Sequence, residues 1–192
     1  MPEFTGMLIL VIVLALLFDL SNGWHDSANA IATVVSTRVI SPFVAVIGAG
    51  VLNIAGAFMS TAVAKMVGSG IVDPASVTQH MVAAALAGAI CWNLFTLLLG
   101  LPTSSSHALI GGMVGAAVTH GGWDTVKLTG LRSVLEAMVL SPFFGFAMGL
   151  ALMVIISWLF FRVTRSVATR LFKRLQLVSA CFMAFSHGAN DA

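Results

Sequence analysis

The chain has 192 residues, of which 59% are hydrophobic and only 8% are charged, whereas a soluble domain carries about 25% charged residues. Nine lysines and arginines stand against seven acids, so the net charge is +2. So few charges cannot cover a water-facing surface. The composition excludes a soluble globular domain and predicts an all-α integral membrane protein that is solvated by lipid.

The first apolar block, residues 7–36, is interrupted by a polar segment. This segment, Ser-Asn-Gly-Trp-His-Asp-Ser-Ala-Asn at 21–29, contains ionisable groups, which are costly at membrane depth and by default mark an ion or substrate pathway. Gly23 relaxes the backbone, so we predict a broken first helix whose free ends offer N–H and carbonyl groups to ions. Asp26 and Asn29 are expected on one face of the second half-helix.

Two further crossings are predicted at about 42–64 and 135–161, since each exceeds the ~20 apolar residues that a span needs. The segment that follows, 162–174, has five basic residues and no acid. We interpret it as a cytoplasmic loop that obeys the positive-inside rule and not as a nucleic-acid-binding patch. Two Gly-x-x-x-Gly pairs are expected to allow close helix packing, at Gly111 and Gly115 and at Gly145 and Gly149.

The block between these spans has no Asp, Glu, Lys or Arg from 74 to 123. A helix-length run is followed by Gly-Leu-Pro-Thr-Ser-Ser-Ser-His at 100–107 and then by a piece too short to cross. We predict a re-entrant helical hairpin over about 79–119 with its tip at this polar segment. Pro102 ends the first arm and a serine caps the second, so the three serines at 104–106 and the first N–H groups form an oxyanion cradle.

The polar segment of the first block recurs near the other end of the chain. Segments 21–27 and 186–192 match at Ser, Gly and Asp with a separation of 165 residues, and internal repeats are typical of secondary transporters. We predict one transmembrane repeat over 1–176 and the start of a second, inverted repeat over 177–192. On this interpretation the chain is a truncated N-terminal half whose C-terminal half is missing.

Three motifs, in this order, resemble those of the inorganic phosphate transporter (PiT) family. They are Asn-Gly-Trp-His-Asp-Ser-Ala-Asn-Ala-Ile-Ala-Thr at 22–33, Leu-Pro-Thr-Ser-Ser-Ser-His-Ala-Leu-Ile-Gly at 101–111 and Ser-His-Gly-Ala-Asn-Asp-Ala at 186–192. The resemblance implies a multi-pass protein of the cytoplasmic (inner) membrane that takes up inorganic phosphate by symport with protons or sodium. It also implies a homodimer of full-length carriers.

The resemblance further implies substrate-binding residues in all three motifs: Asp26, Asn29, Ser104, Ser105, Ser106, Asn190 and Asp191. Three of them would also hold the coupling cation, namely Asp26, Asn29 and Asp191. Apart from a possible sodium ion at Asp26, no metal is expected. We expect neither a cofactor nor a nucleic-acid partner nor an enzymatic reaction.

Other functions fit parts of the pattern. A sulfate transporter of the same architecture would use the same serines, a membrane enzyme could use His25 and Asp26 as acid and base, and a structural or non-transporting membrane fragment would need neither motif. Phosphate keeps at least one P–OH at neutral pH because its second pKa lies near 6, as in its monoesters, and sulfate keeps none. We therefore hypothesise that Asp26 selects phosphate over sulfate by accepting this hydrogen bond.

Overall fold

The computed structural model describes residues 2–59, 65 and 69–191, with the side chains of 2–4, 27 and 191 left aside. The described part is helical, with two short 3₁₀ turns and a single antiparallel bridge between Val72 and Val126. Its long α-helices, in chain order, are α1 (Pro2–Ser36), α2 (Pro42–Ala57), α3 (Gln79–Leu99), α4 (Ser105–Gly121), α5 (Leu128–Phe160) and α6 (Arg165–Asp191).

Helix α1 runs without interruption through the polar segment, so the predicted break in the first helix is wrong. Ser21 Oγ donates to the Phe18 carbonyl at 2.7 Å, and His25 Nδ1 lies 3.1 Å from the Ser21 carbonyl oxygen. The polar side chains thus bond to the helix that carries them. Gly23 alone costs about 1 kcal/mol in a helix, which is less than the cost of leaving backbone groups unpaired in lipid.

Three helices of the described part are long and apolar enough to cross a membrane: α1, α3 and α5. Helix α5 covers the predicted span 135–161 except for its last residue and begins seven residues earlier, and none of its residues is buried in the chain. Helix α2 has 16 residues and ends at Ala57, so it is shorter than the predicted span 42–64, of which residues 60–64 lie outside the described part. The predicted basic loop 162–174 is helical from Arg165 onward, since nothing in its sequence stops a helix.

The hairpin predicted at 79–119 is present as α3 and α4, which pack against each other and extend to Gly121. Gly100 ends α3 in the left-handed conformation, with φ of 65°, which glycine adopts without strain. At Gly112 of α4, a Cβ would collide with the backbone of Ala85 in α3. The two arms are therefore in backbone contact. Re-entry of the hairpin into the membrane stays a prediction.

A second close contact joins α2 to α6. A Cβ at Gly188 would collide with the backbone of Asn53, and a Cβ at Gly56 would meet Phe185 O and lie 2.7 Å from Ala189 N. The close packing expected at the two Gly-x-x-x-Gly pairs is wrong within the described chain, because a Cβ at any of those four glycines meets no atom within 4 Å. Their faces point away from the neighbouring helices.

We expect Gly56→Ala to lower the free energy of unfolding by about 1–3 kcal/mol, because the added methyl forces α2 away from α6. The control is Gly145→Ala on α5, where the open surroundings should make the change neutral or stabilising by up to about 1 kcal/mol through helix propensity. Thermal unfolding of the two purified variants in detergent, followed by size-exclusion chromatography, measures the difference. Equal midpoints for both would contradict the close α2–α6 contact.

Candidate functional site

A buried polar contact holds the middle of α1 against α3. Asn93 Nδ2 donates to Ser21 Oγ at 3.0 Å, and both side chains are buried, Asn93 completely. One turn away, Phe18 packs with Leu86 and Ala89 of α3, and Ala108 of α4 borders the same cluster. The hydrogen bond between Asn93 and Ser21 thus lies beside this apolar cluster, on the side nearer the hairpin tip.

The next turn of α1 reaches the last turn of α3. His25 Nε2 lies 3.5 Å from Thr96 Oγ1, and the carbonyl oxygens of Trp92, at 2.9 Å, and Asn93, at 3.0 Å, are the acceptors within reach of the single Thr96 hydroxyl hydrogen. The Thr96 carbonyl accepts the N–H of Leu101, at 2.9 Å, as the chain turns into the tip. The polar segment of α1 and the hairpin tip are therefore at the same level of the molecule.

Helix α4 begins at the hairpin tip. Ser104 is the N-cap residue, and its Oγ accepts the N–H of His107 at 3.3 Å, as predicted. Thr103 Oγ1 accepts from Trp92 Nε1 at 3.0 Å, which anchors the tip to α3. Ser105 is only 1% exposed, and within the described chain neither its Oγ nor Asn93 Oδ1 has a hydrogen-bond partner.

The remaining predicted site residues occupy two places. Asn29 Nδ2 donates to Asp26 Oδ1 at 3.4 Å, so these two share a face of α1 as predicted. Asp26 is half-buried, as is Ser106 of the hairpin tip, whereas Asn29 is exposed. Asn190 is exposed on α6 and its Nδ2 lies 3.5 Å from Ser186 Oγ. The side chain of Asp191 lies outside the described residues.

A cleft of about 540 Å³ separates α1, α2 and α6. Its polar lining residues are Asp19, Asn22, Asn53 and His187. Gly23 and Gly188 also line it. Residues 22–23 and 187–188 are separated by 165, so equivalent positions of the two similar segments face one cleft. The structure thereby brings the first and third motifs together along α1.

Three contributing residues were not identified from the sequence: Asn53, Asn93 and Thr96. Asn53 is the one polar residue in the sequence of α2, and Asn93 and Thr96 interrupt an otherwise apolar stretch of α3. Because polar groups in a membrane span usually hydrogen-bond to another helix or face a cavity, a polar residue within such an apolar run was the available signal. No group of three or more His, Cys, Asp or Glu residues that could hold a metal ion occurs in the described part.

Residues 22–192 match the phosphate transporter family. The chain is also 48% identical over 187 residues to a probable low-affinity inorganic phosphate transporter of Rhizobium meliloti, with 97% of this chain and 56% of that protein covered. The chain belongs to the phosphate transporter family. The family predicted from the three motifs is therefore confirmed, and so is the expectation that the protein is not an enzyme.

Other comparisons agree with this family membership. A probable low-affinity inorganic phosphate transporter of Streptomyces halstedii is 49% identical over 185 residues, with 95% of this chain and 86% of that protein covered. A solved structure, described as that of a sodium-dependent phosphate transporter, matches with a TM-score of 0.87 at 24% identity, over 97% of this chain and 64% of that one, which shows that the fold is shared. The chain spans 56% of the length of the relatives from Rhizobium meliloti and Bacillus subtilis.

The contact between Ser21 and Asn93 should show as a coupling energy in a double-mutant cycle. We expect Ser21→Ala and Asn93→Ala to be coupled by about 0.6 kcal/mol, and by at most ~1.7 kcal/mol, as for other hydrogen bonds between membrane helices. Unfolding of the single and double variants in detergent measures this energy. As a control, Ser21→Ala should show no coupling with Thr119→Ala, since Thr119 bonds to the Gly115 carbonyl of its own helix.

Proposed function

We propose that this protein moves inorganic phosphate across the cytoplasmic membrane in symport with a monovalent cation, either a proton or sodium. The observation that carries the proposal is the start of α4 at the hairpin tip, where the buried Ser105 hydroxyl has no hydrogen-bond partner in the described chain and the last turns of the preceding arm, α3, contact the polar segment of α1. The names of the relatives support phosphate as the substrate. The description of the structural neighbour as sodium-dependent supports sodium as a coupling ion.

The hairpin tip suits an oxyanion. The first turn of an α-helix leaves N–H groups without intrahelical acceptors, and its dipole favours negative charge. Ser105 and Ser106 add hydroxyl donors, while Ser104 caps the helix. No lysine or arginine occurs between 74 and 123. Hydrogen bonds to the hairpin therefore hold the anion without a fixed positive charge, so phosphate can also be released.

The carboxylate of Asp26 supplies the coupling in this proposal. It repels a phosphate dianion unless a proton or a cation lies between the two, so the anion and the cation bind together. Asn29, which bonds to Asp26, contributes an amide oxygen to the same cation. Asn190 and Asp191 are the proposed counterparts from the second motif, in a carrier built of inverted repeats and assembled as a homodimer.

Ser105→Ala should lower the catalytic efficiency of phosphate uptake, kcat/KM, by roughly ten- to hundredfold, because a hydrogen bond to a charged group contributes about 1.5–3 kcal/mol. Uptake of labelled phosphate is measured in cells that lack other phosphate carriers and express this protein from its complete reading frame. Ser133→Ala is the matched control, since Ser133 is exposed and bonds to the Thr129 carbonyl of its own helix. Equal uptake by both variants would refute the role of the hairpin tip.

Asp26→Asn should reduce phosphate uptake and weaken the discrimination against sulfate. An amide at this position can donate a hydrogen bond to either anion, whereas the carboxylate repels sulfate and accepts the P–OH of phosphate. Competition of labelled phosphate uptake by unlabelled sulfate provides the measurement. If Asp26→Asn leaves both phosphate uptake and selectivity unchanged, Asp26 is not part of the site. Strong inhibition of phosphate uptake by sulfate in the unmodified carrier would favour a sulfate transporter.

A further inference from the structure

The cleft between α1, α2 and α6 has the ligand chemistry of a cation site. Within its largely apolar walls it gathers one carboxylate, from Asp19, and two amides, from Asn22 and Asn53. Carboxylate and amide oxygens are the ligands that hard cations prefer. One carboxylate and two neutral amides carry a total charge of −1, which a single monovalent cation balances. The substrate-binding residues implied by the family resemblance do not include any of these three.

Asn22 provides the most specific observation. Its side chain is only 8% exposed, and Asn22 Oδ1 is buried without a hydrogen-bond partner in the described chain. A buried acceptor without a partner costs about 1–3 kcal/mol. Asn53 donates its Nδ2 to the Ala49 carbonyl at 2.9 Å, which orients the amide and leaves its oxygen as an acceptor. The cleft is thus lined by two amides, one oriented by a bond to its own helix and one whose buried oxygen has no partner in the described chain.

Asp19 places a carboxylate inside a membrane-spanning helix. An ionised carboxylate at this depth needs a compensating charge. The ion pair between Arg132 and Glu136 lies on α5, which does not border the cleft. Among the described residues that line the cleft there is one histidine, His187, and neither a lysine nor an arginine. The described lining of the cleft thus places no lysine or arginine charge against the Asp19 carboxylate.

The position of the cleft connects it to the proposed phosphate site. Asp19, Asn22, Gly23 and Asp26 follow the spacing i, i+3, i+4, i+7, so they lie along one face of α1. Asp19 and Asp26 are two turns apart, or about 10 Å along the helix axis. This is far enough for two separate ions and close enough for one ion to move between the two carboxylates.

We propose that the cleft binds a monovalent cation through Asp19, Asn22 and Asn53, at a site separate from Asp26. The inference rests on the proposed cation symport and extends it by a second ion site on the same helix face. Because α2 and α6 form the other walls, the site depends on their close contact at Gly56 and Gly188. A proton would bind to the carboxylate of Asp19 alone, whereas sodium requires the amide oxygens as well.

The test is a sodium titration of the purified carrier in the absence of phosphate. Sodium chloride replaces choline chloride at constant ionic strength, and the thermal midpoint reports binding, since a ligand that binds only the folded state stabilises it. Asp19→Asn should weaken the apparent sodium affinity about tenfold or more, because it removes the charged ligand of the proposed site. Asn22→Val should weaken it by a smaller factor. The matched control, Asp124→Asn, alters an exposed acid in a 3₁₀ turn and should leave the titration unchanged.

The outcomes separate this inference from the proposed transport function. If sodium still stabilises the Asp19→Asn variant, the proposed site is wrong. The proposed site is also wrong if only protons stabilise the carrier and Asn22→Val leaves that stabilisation unchanged. Sodium stabilisation that is lost in Asp19→Asn but retained in Asp26→Asn supports two separate sites. If Asp19→Asn does not fold, Asn22→Asp decides: a second carboxylate should shift the preference from sodium to calcium, and an unchanged preference overturns the site. Labelled phosphate uptake by the unmodified carrier tests the transport function independently.

Discussion

The hydrogen bond from Asn93 to Ser21 fixes the relative position of the two parts of the molecule that bear on its function. Lipid provides no hydrophobic driving force between helices, so packing and polar contacts determine how they associate. This bond, together with the approach of His25 to Thr96, sets α1 at one height against the hairpin. That height brings the polar segment of α1 to the last turns of α3, from which the chain enters the hairpin tip. A shift by one turn, about 5.4 Å, would break both of these contacts.

A second close helix contact determines the surroundings of the other face of α1. At Gly56 and Gly188 the backbones of α2 and α6 are in contact, and this contact brings Asn53 and His187 to a cleft whose third wall is the face of α1 with Asp19 and Asn22. Glycines at these points permit polar side chains from three helices to face one space. The polar groups in the middle of α1 are thus divided between two faces, with Ser21 and His25 toward the hairpin and Asp19 and Asn22 toward the cleft.

The sequence was sufficient to predict features that depend on local chemistry. Composition predicted the membrane class, and Pro102 and the serines predicted a hairpin tip with a serine cap. The break in α1 was predicted incorrectly because a polar segment with a glycine resembles a helix end, whereas Ser21 and His25 here bond one turn back along their own helix. The close-contact glycines could not be identified either. Gly56 and Gly188 belong to no Gly-x-x-x-Gly pair, and only the packed structure shows which glycines face a neighbouring helix.

The continuity of α1 changes what that helix can contribute to a site. A broken helix would have offered backbone N–H groups and carbonyls at the membrane centre, so it could have bound either an anion or a cation with its main chain. A continuous helix pairs these groups internally, and only its side chains remain for ligands. The face of α1 toward the cleft carries carboxylate and amide oxygens, which suit cations. In the proposed function, anion binding falls to the start of α4, where a helix does begin. The proposed symport thus assigns its anion and its cation to different structural elements, which the contact between Asn93 and Ser21 joins.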